Sequence, residues 1–491
     1  MSERRRHTPA AQTAAPDEEP ALFTREFLRC FVALSMVIAT TSVMNTVMFP
    51  GFDAVFTYAR DISVFANSVL LILIGLVATF RPRLLVVRIA NPVLVGCLVG
   101  GAVVLALGLR LDSPAALTVA ACAMAFGRSW AMLSCGIAAS RLNSLQIGAC
   151  VTFAVVVDCL VNIGCTVTLA GLPFGVSLVL FAGLPLAAWA LTWGDARPIM
   201  QAAERDEAPS DYSITQPSSF LPLGSQLFVS LFLFRMASGF SLRLGEAQEQ
   251  AMLPLLSLAL VACIAVYLLA RRKPVVPDFV VQLAVLLVVA GFLCATLPSS
   301  DENGAGRVGI AMLSAGNTLF DMVALVVLIA VAGRNSRSAV ALFAWGRGFS
   351  GFGSVVGAFL GVWASERIGQ NSFVFELVVD VVVLVFVAYV LIGLKDFSFT
   401  RTIGGVTPVQ QGAAAAPEPT FEEHCALVAA EYGLTPREVE VFQMLARGRD
   451  RAYIQEQLGV SRNTVKTHVR SIYAKLDIHT HQDLIDLVEQ G

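Results

Sequence analysis

Apolar segments of roughly twenty residues recur along this chain and constrain its fold more than any other feature. A helix of that length crosses about 30 Å of hydrocarbon, and it satisfies its own backbone hydrogen bonds where no water can do so. Because 56% of the 491 residues are hydrophobic and only 14% are charged, an ordinary soluble domain is excluded. The pattern predicts an all-α chain with about twelve transmembrane helices, near residues 27–48, 60–80, 87–109, 115–139, 147–170, 173–193, 224–241, 250–270, 276–297, 308–332, 339–364 and 373–394.

A polar stretch at residues 194–219 divides the apolar segments into two groups of six. A 6+6 arrangement with a longer cytoplasmic loop in the middle resembles the major facilitator architecture, in topology alone. The resemblance implies two six-helix halves around a cavity at mid-membrane, lined by the first, fourth, seventh and tenth helices. Residues 1–26 are polar and predict a disordered cytoplasmic tail.

Basic residues indicate how the chain is oriented, because Lys and Arg are enriched in cytoplasmic loops. If the N-terminus is cytoplasmic, the inner loops contain Arg81, Arg83, Arg88, Arg141, Arg197, Arg205, Arg271, Arg272, Lys273, Arg334 and Arg337. The outer loops then contain only Arg60, Arg110, Arg243, Arg307 and Arg367. The bias predicts a multi-pass protein of a bacterial cytoplasmic membrane, and an even number of spans places both termini in the cytoplasm.

A short basic helix follows the membrane part of the chain. Residues 395–420 are rich in Gly, Ala and Pro and predict a flexible linker, and residues 421–491 predict a separate domain. Within this domain, residues 460–476 contain four Lys or Arg and no Asp or Glu. Three of these cations fall on one helical face and suit phosphates and base edges, while Val465, Val469, Ile472 and Leu476 form another face for burial.

The residues before the basic helix identify a recognisable unit. Thr435, Pro436 and Glu438 predict a capped helix start, and Gly459 lies in a short turn between a second helix and the basic helix. The domain resembles the LuxR-type helix-turn-helix family through LTPREVEVF at 434–442, Gly448, Ile454, Leu458, VSRNTVKTH at 460–468, Lys475 and Leu476. The resemblance covers about 60 residues and implies a four-helix DNA-binding domain.

The same resemblance implies which residues contact double-stranded DNA. By position, the DNA-reading residues are Lys466, Thr467 and Arg470, and Arg462, Asn463 and Thr464 lie near the phosphates. It also implies a homodimer on DNA, paired through the last helix at residues 483–488, on two half-sites about one helical turn apart. The alternative is that the basic stretch is only a solvated helix face.

Polar residues inside the predicted spans are the pointers to a ligand, because charges at that depth are costly and usually face a cavity. The candidate cavity residues, all on the first, fourth, seventh and tenth spans, are Asn45, Arg128, Arg235, Asn317 and Asp321. Two arginines and two amides against one carboxylate favour an anionic or zwitterionic small molecule. The alternative is a set of structural ion pairs between helices.

The sequence supports no enzyme and no cofactor. It contains no P-loop, no Cys pair at CxxC spacing and no His inside a predicted span, and we expect no metal site. We therefore interpret the chain as a membrane-embedded one-component regulator that senses a small ligand and binds promoter DNA. The alternative is a secondary transporter with an accessory DNA-binding tail.

Overall fold

The chain divides into two compact units, Met1–Val409 and Gln410–Gly491. The structure is a computed structural model that describes residues 22–48, 55–56, 59–167, 174–205, 225–247, 254–274, 276–295, 305–368, 372–395, 397–406, 425, 428–429, 432–447, 449, 451–476, 478 and 484. Every regular element within these ranges is a helix, as the apolar segments predict.

The described residues of unit 1 form twelve long helices, α1 to α12, and a short helix, α13. Nine of the helices in the described residues are long and apolar enough to cross a membrane, and three shorter apolar helices lie at 226–242, 255–271 and 380–393. The chain is therefore a multi-pass membrane protein. The helices are Arg25–Val43, Ala59–Phe80, Val87–Arg110, Pro114–Ala139, Ser144–Val167, Phe174–Arg205, Gln226–Ala247, Leu255–Arg271, Pro277–Ala295, Ala305–Arg334, Ala339–Ile368, Ser372–Ala388 and Phe399–Gly405.

Short polar side chains fix where these helices begin. Thr24 accepts a hydrogen bond from the backbone N–H of Phe27 at 3.1 Å and so caps α1. Ser113 caps α4 in the same way, and Pro114 occupies the first position of that helix, where its missing N–H costs nothing. Two π-helical turns, Met44–Met48 and Tyr389–Gly393, continue α1 and α12.

Helix pairs α2–α11 and α5–α8 join the first six helices to the second six. Across the first of these pairs, Trp345 Nε1 donates to Thr79 Oγ1 at 3.0 Å, and both side chains are buried. Within the second group, α7 and α11 pack closely through Gly353 and Gly357, where a Cβ would strike the backbone carbonyls of Phe232 and Met236. The glycine spacing of α11 therefore serves packing inside the bundle.

The polar stretch predicted as a loop at 194–219 begins as helix, because α6 continues to Arg205. Asp195, on this extension, pairs with Arg29 of α1 at 3.3 Å and with Arg141, just beyond α4, at 3.2 Å. These ion pairs stabilise a helical path through polar sequence. The rest of the predicted loop lies outside the described residues.

The predicted linker at 395–420 also begins as structure, in α13. Ser398 donates to Asp278 of α9 at 2.7 Å, and the same carboxylate accepts from the backbone N–H of Phe399 at 2.7 Å. At the other end of α13, Arg334 of α10 donates to the carbonyls of Gly404 and Val406 at 3.3 and 3.2 Å. Side chains from elsewhere in unit 1 thus cap both ends of a seven-residue helix.

Unit 2 contains three described helices, α14 at Pro436–Ala446, α15 at Arg451–Leu458 and α16 at Arg462–Leu476. They enclose a separate hydrophobic core of Cys425, Val428, Val441, Phe442, Leu445, Ala446, Ile454, Val465, Val469, Ile472, Leu476 and Leu484. Of residues 421–432, which precede the capped helix start, and of the last helix predicted at 483–488, the described residues include only Cys425, Val428, Ala429, Tyr432 and Leu484. The four-helix count therefore stays a prediction.

Candidate functional site

Helices α15 and α16 form the helix-turn-helix that the sequence predicts. Gly459 lies between them with a φ of 60°, a left-handed conformation that favours glycine at a helix end. Ser461 then opens α16, since its hydroxyl accepts the backbone N–H of Thr464 at 3.2 Å. The turn thus separates two short helices within a few residues.

One face of α16 is buried and the opposite face is exposed. Val465, Val469, Ile472 and Leu476 all lie in the core of unit 2, which confirms the apolar face predicted from their spacing. The opposite face carries every residue that the family resemblance assigns to DNA, and all of them are exposed: Arg462, Asn463, Thr464, Lys466, Thr467 and Arg470. Burial of the apolar face of α16 therefore fixes the orientation of its polar face, which stays accessible to a partner.

The cations of this face have no acidic partner in the described part of unit 2. Arg462, Lys466 and Arg470 make no ion pair with any residue that the structure describes. Thr467 uses its hydroxyl to bond the carbonyl of Asn463 at 2.9 Å, within the same helix. Three unpaired positive charges on one exposed helical face suit the phosphates and base edges of DNA.

Lys475, the fourth cation of the basic stretch, has a structural role instead. Its Nζ donates to Glu438 Oε2 at 2.7 Å and to the carbonyl of Gly433 at 2.9 Å. Ser471 donates to Glu438 Oε1 at 2.5 Å, and the backbone N–H of Thr435 donates to Oε2 at 2.7 Å. The Lys475 ammonium, the Ser471 hydroxyl and this N–H together lower the pKa of Glu438 from 4.5 to about 2.

Glu438 therefore does two things at once. Its side chain completes the capping box with Thr435 at the start of α14, which confirms the predicted helix start. It also joins α14 to the C-terminal part of α16 through Ser471 and Lys475. Glu438 is almost fully buried, so a shielded ionic contact adds to the core packing that orients α16 against α14.

A cavity of about 280 Å³ lies inside unit 1, between helices of the first six and the second six. Its volume is close to the lower end of the range for small-molecule sites, about 300–1,000 Å³. Of the five cavity residues predicted from sequence, Arg128, Arg235 and Asp321 line it. Helices α1, α2, α4, α5, α7, α10 and α11 all contribute lining residues.

The two predicted amides are not among the residues that line this cavity. Asn45 is exposed in the π-helical turn that follows α1. Asn317 lies one helical turn before Asp321 and donates to Ser241 of α7 at 3.2 Å. Its amide is therefore used in a contact between α7 and α10.

Arg235 and Asp321 form an ion pair at 2.6 Å that joins α7 to α10. This pair matches the alternative reading of the intramembrane charges, as links between helices. Arg128 differs, since its guanidinium contacts the sulfur of Met44 and lies 5.3 Å from the centroid of the Phe181 ring. It makes no ion pair with a described residue.

Two charged residues of the cavity are missing from the sequence-based set. Arg347 of α11 and Asp158 of α5 both line it, together with the amide of Asn67 on α2. Asp158 accepts a hydrogen bond from Ser42 at 2.7 Å. A charged residue inside a predicted span is itself a signal of a cavity, and both residues gave that signal in the sequence. They were missed because only the first, fourth, seventh and tenth helices were expected to line the cavity, which left out α2, α5 and α11.

Comparisons with known proteins match the two units separately. Residues 433–488 match the family of bacterial regulatory proteins, luxR family. The transcriptional activator protein ExaE of Pseudomonas putida is 42% identical over 60 residues, which are 12% of this chain and 28% of that protein. The uncharacterized response regulatory protein YgeK of Escherichia coli is 38% identical over 65 residues, 12% of this chain and 44% of that protein. The chain thus spans less than half the length of these curated relatives.

Solved structures of membrane transporters are similar to most of the remaining chain. The human organic anion transporter MFSD10 (TETRAN) superposes with a TM-score of 0.48 at 16% identity, over 74% of this chain and 100% of that one. The proton:xylose symporter XylE gives 0.48 at 11% identity, over 75% and 95%. A bacterial homologue of the iron transporter ferroportin, in an outward-facing state, gives 0.49 at 12% identity, over 75% and 99%.

Proposed function

We propose that this multi-pass membrane protein, whose residues 433–488 match the luxR family, is a one-component transcriptional regulator that senses a small ligand through its helical bundle. One observation carries the proposal. The chain that crosses the membrane also carries a folded helix-turn-helix, and the DNA-facing cations of its α16 are exposed and unpaired among the described residues. Such a protein joins recognition in the membrane and output on DNA in one polypeptide.

On the output side, Lys466, Thr467 and Arg470 are proposed to read base edges in the major groove. Arg462, Asn463 and Thr464 are proposed to contact phosphates, which position the helix without reading sequence. The unit is proposed to act as a homodimer through residues 483–488, on half-sites about one helical turn apart. This arrangement requires the C-terminus to be cytoplasmic, as the distribution of arginine predicts.

On the input side, the cavity lined by α1, α2, α4, α5, α7, α10 and α11 is the proposed ligand site. A ligand that binds one conformation of the bundle better than another shifts the population of that conformation. The chain from α13 to unit 2 is the covalent route by which such a shift reaches the DNA-binding unit. Its position or pairing would then depend on the ligand.

A transporter with an accessory DNA-binding tail is the second candidate, because a central polar cavity also suits a transported solute. The test is genome-wide mapping of DNA bound by the full chain, with uptake assays on the same strain. We expect discrete promoter sites that depend on Lys466 and Arg470, and no uptake that depends on the cavity. Uptake that is lost on Arg128→Gln, without promoter occupancy, would support the transporter instead.

A further inference from the structure

The charges that line the cavity of unit 1 do not cancel. Among the residues that the structure describes, five charged side chains line it, the arginines 128, 235 and 347 and the aspartates 158 and 321. With all five ionised, the sum is three positive and two negative charges, a net charge of +1. Charge inside a bilayer is expensive unless a counter-charge accompanies it, so this lining favours the binding of one further negative charge.

The uncompensated charge lies on two of the three arginines. Arg235 is bound to Asp321 at 2.6 Å, whereas neither Arg128 nor Arg347 forms an ion pair in the part of the chain that the structure describes. Arg128 contacts the sulfur of Met44 and the ring of Phe181, neither of which carries a negative charge. Arg347 adds an unfavourable positive charge near Arg128, and Arg347 itself lies in the field of Asp321, which is already bound to Arg235. The guanidinium groups of Arg128 and Arg347 therefore line one cavity, and neither has an acidic partner of its own among the described residues.

The two arginines lie on opposite sides of the boundary between the two groups of six helices. Arg128 belongs to α4 and Arg347 to α11, and both retain partial exposure on the cavity side. Guanidinium groups keep five N–H donors in a planar fork that matches a carboxylate. An anion between them would accept hydrogen bonds from both groups of helices at once.

We propose that the cavity binds a small organic monoanion whose carboxylate is held between Arg128 and Arg347. Its apolar part lies against Val37, Leu71, Val155 and Leu325, which line the same cavity. A monoanion brings the net charge of the lining to zero, whereas a zwitterion leaves it at +1. This proposal rests on the proposed sensory function of the cavity. The sequence predicts an anionic or zwitterionic ligand, and the charges of the cavity favour the anion.

The ligand also acts as a bridge in this proposal. Without it, repulsion between Arg128 and Arg347 favours separation of α4 from α11. With it, both guanidinium groups are attracted to one carboxylate, which favours the conformation in which they approach. The bound anion thus has a differential affinity for two conformations of the bundle, as a signal requires.

The first test needs no knowledge of the natural ligand. The thermal unfolding midpoint of the full chain in detergent is measured at one fixed scan rate for Arg347→Gln and Arg235→Gln. We expect Arg347→Gln to raise the midpoint by about 2 °C or more, because it removes a half-buried charge that has no ion pair among the described residues. Arg235→Gln, the matched control, should lower it, because Asp321 is left without its partner. A lower midpoint for Arg347→Gln would overturn the proposal.

The second test names its probes. Monocarboxylates of two to nine carbons, including benzoate, are compared with their primary amides for their effect on the midpoint of the parent chain. We expect at least one carboxylate and none of the amides to raise it, with no such rise in Arg347→Gln. Equal effects of carboxylate and amide, or no rise with any carboxylate, would overturn the proposal.

Promoter binding by the same preparations distinguishes a failure of the proposed ligand class from a failure of the proposed regulatory function. If the carboxylate series fails while the full chain still binds promoter DNA, the ligand class is wrong and the regulatory function stands. If DNA binding also fails, the proposed function itself is wrong. Neither result depends on the identity of the natural ligand.

Discussion

Lys466 and Arg470 present their charges from the exposed face of α16, one helical turn apart. We expect Lys466→Ala and Arg470→Ala each to weaken specific DNA binding by about 1–3 kcal/mol if the side chain contacts a base. The measurement is a titration of promoter DNA with segment 410–491, which has its own hydrophobic core, at several stated salt concentrations. Salt must be fixed because counterion release dominates the affinity of a cationic surface.

The control for this prediction is Arg447→Ala, which removes the same kind of charge from an exposed position at the end of α14. It should change affinity by less than either α16 variant. Unchanged affinity for both Lys466→Ala and Arg470→Ala at the same salt concentration would show that α16 is a solvated face and does not read DNA.

Glu438 gives unit 2 a pH dependence whose sign can be worked out. Folding lowers the pKa of Glu438 from 4.5 to about 2, so the unfolded state binds its proton more tightly. The stabilisation is fully present above pH 4.5, and it is lost as the pH falls through the window from 4.5 towards 2. In urea unfolding at neutral pH, Glu438→Gln should lower the free energy of unfolding of segment 410–491 by about 1–3 kcal/mol.

The matched control is Glu440→Gln, which removes the acidic partner of an exposed ion pair with Arg437. An exposed pair contributes about 0–1 kcal/mol, so this variant should unfold close to the parent. The difference between the parent and Glu438→Gln should also shrink below pH 4.5. A constant difference from pH 7 to pH 2.5 would refute the assigned role of the carboxylate.

Residue-level prediction from sequence succeeded where spacing determines the environment. The buried face of α16 and the cap at Thr435 both follow from local periodicity and local hydrogen bonding, so the sequence was sufficient. Arg347 and Asp158 were missed as cavity residues because their position depends on packing between distant helices. Lys475 looks like another DNA-facing cation in sequence, and only the fold brings it to Glu438.

Among the helices of unit 1, α13 is the one that the sequence predicts least well. Its glycines and its place after the last span predict a linker, yet Asp278 and Arg334 cap its two ends from α9 and α10. Phe399 and Val406 are also buried in the core of unit 1. A short segment of low helix propensity is thus ordered by tertiary contacts, which no local pattern encodes.

We expect Asp278→Asn to release α13 from the bundle. An amide keeps only one of the two acceptor oxygens, so it cannot accept all of the hydrogen bonds from Ser398, Phe399 and Thr400. Each bond to a charged group contributes about 1.5–3 kcal/mol. Trypsin cleavage after Arg401, which is exposed on α13, should become roughly tenfold faster or more, since cleavage follows the population of the opened state.

The control is Asp112→Asn, an isosteric change at an exposed residue beyond α3 whose left-handed φ of 46° asparagine also tolerates. Its cleavage rate at Arg401 should equal that of the parent. If Asp278→Asn also leaves the rate unchanged in membranes opened on the side of α13, the carboxylate does not hold the helix.

For the whole molecule, the two kinds of chemistry lie in units with separate cores. The membrane unit has a cavity lined by charged side chains, and the DNA-binding unit carries cations on an exposed helical face. Length and hydropathy predicted the helices of the first, while a family motif predicted the second. Neither kind of signal reports coupling, because coupling depends on conformations whose difference in free energy is small compared with the energy of folding.

The last prediction is topological and tests the premise that the two units share one purpose. Arginines lie at the ends of α6 and α10 and near the end of α8. Loops rich in Lys and Arg tend to stay in the cytoplasm when a membrane protein is inserted. Reporter fusions after Gly491 and near Arg205 should therefore both report the cytoplasm, and fusions near Asp301 should report the outside. Fusions near Asp112, between α3 and α4, serve as an internal control and should agree with those near Asp301. An outside signal after Gly491 would separate α16 from DNA and end the regulatory proposal, whatever the cavity binds.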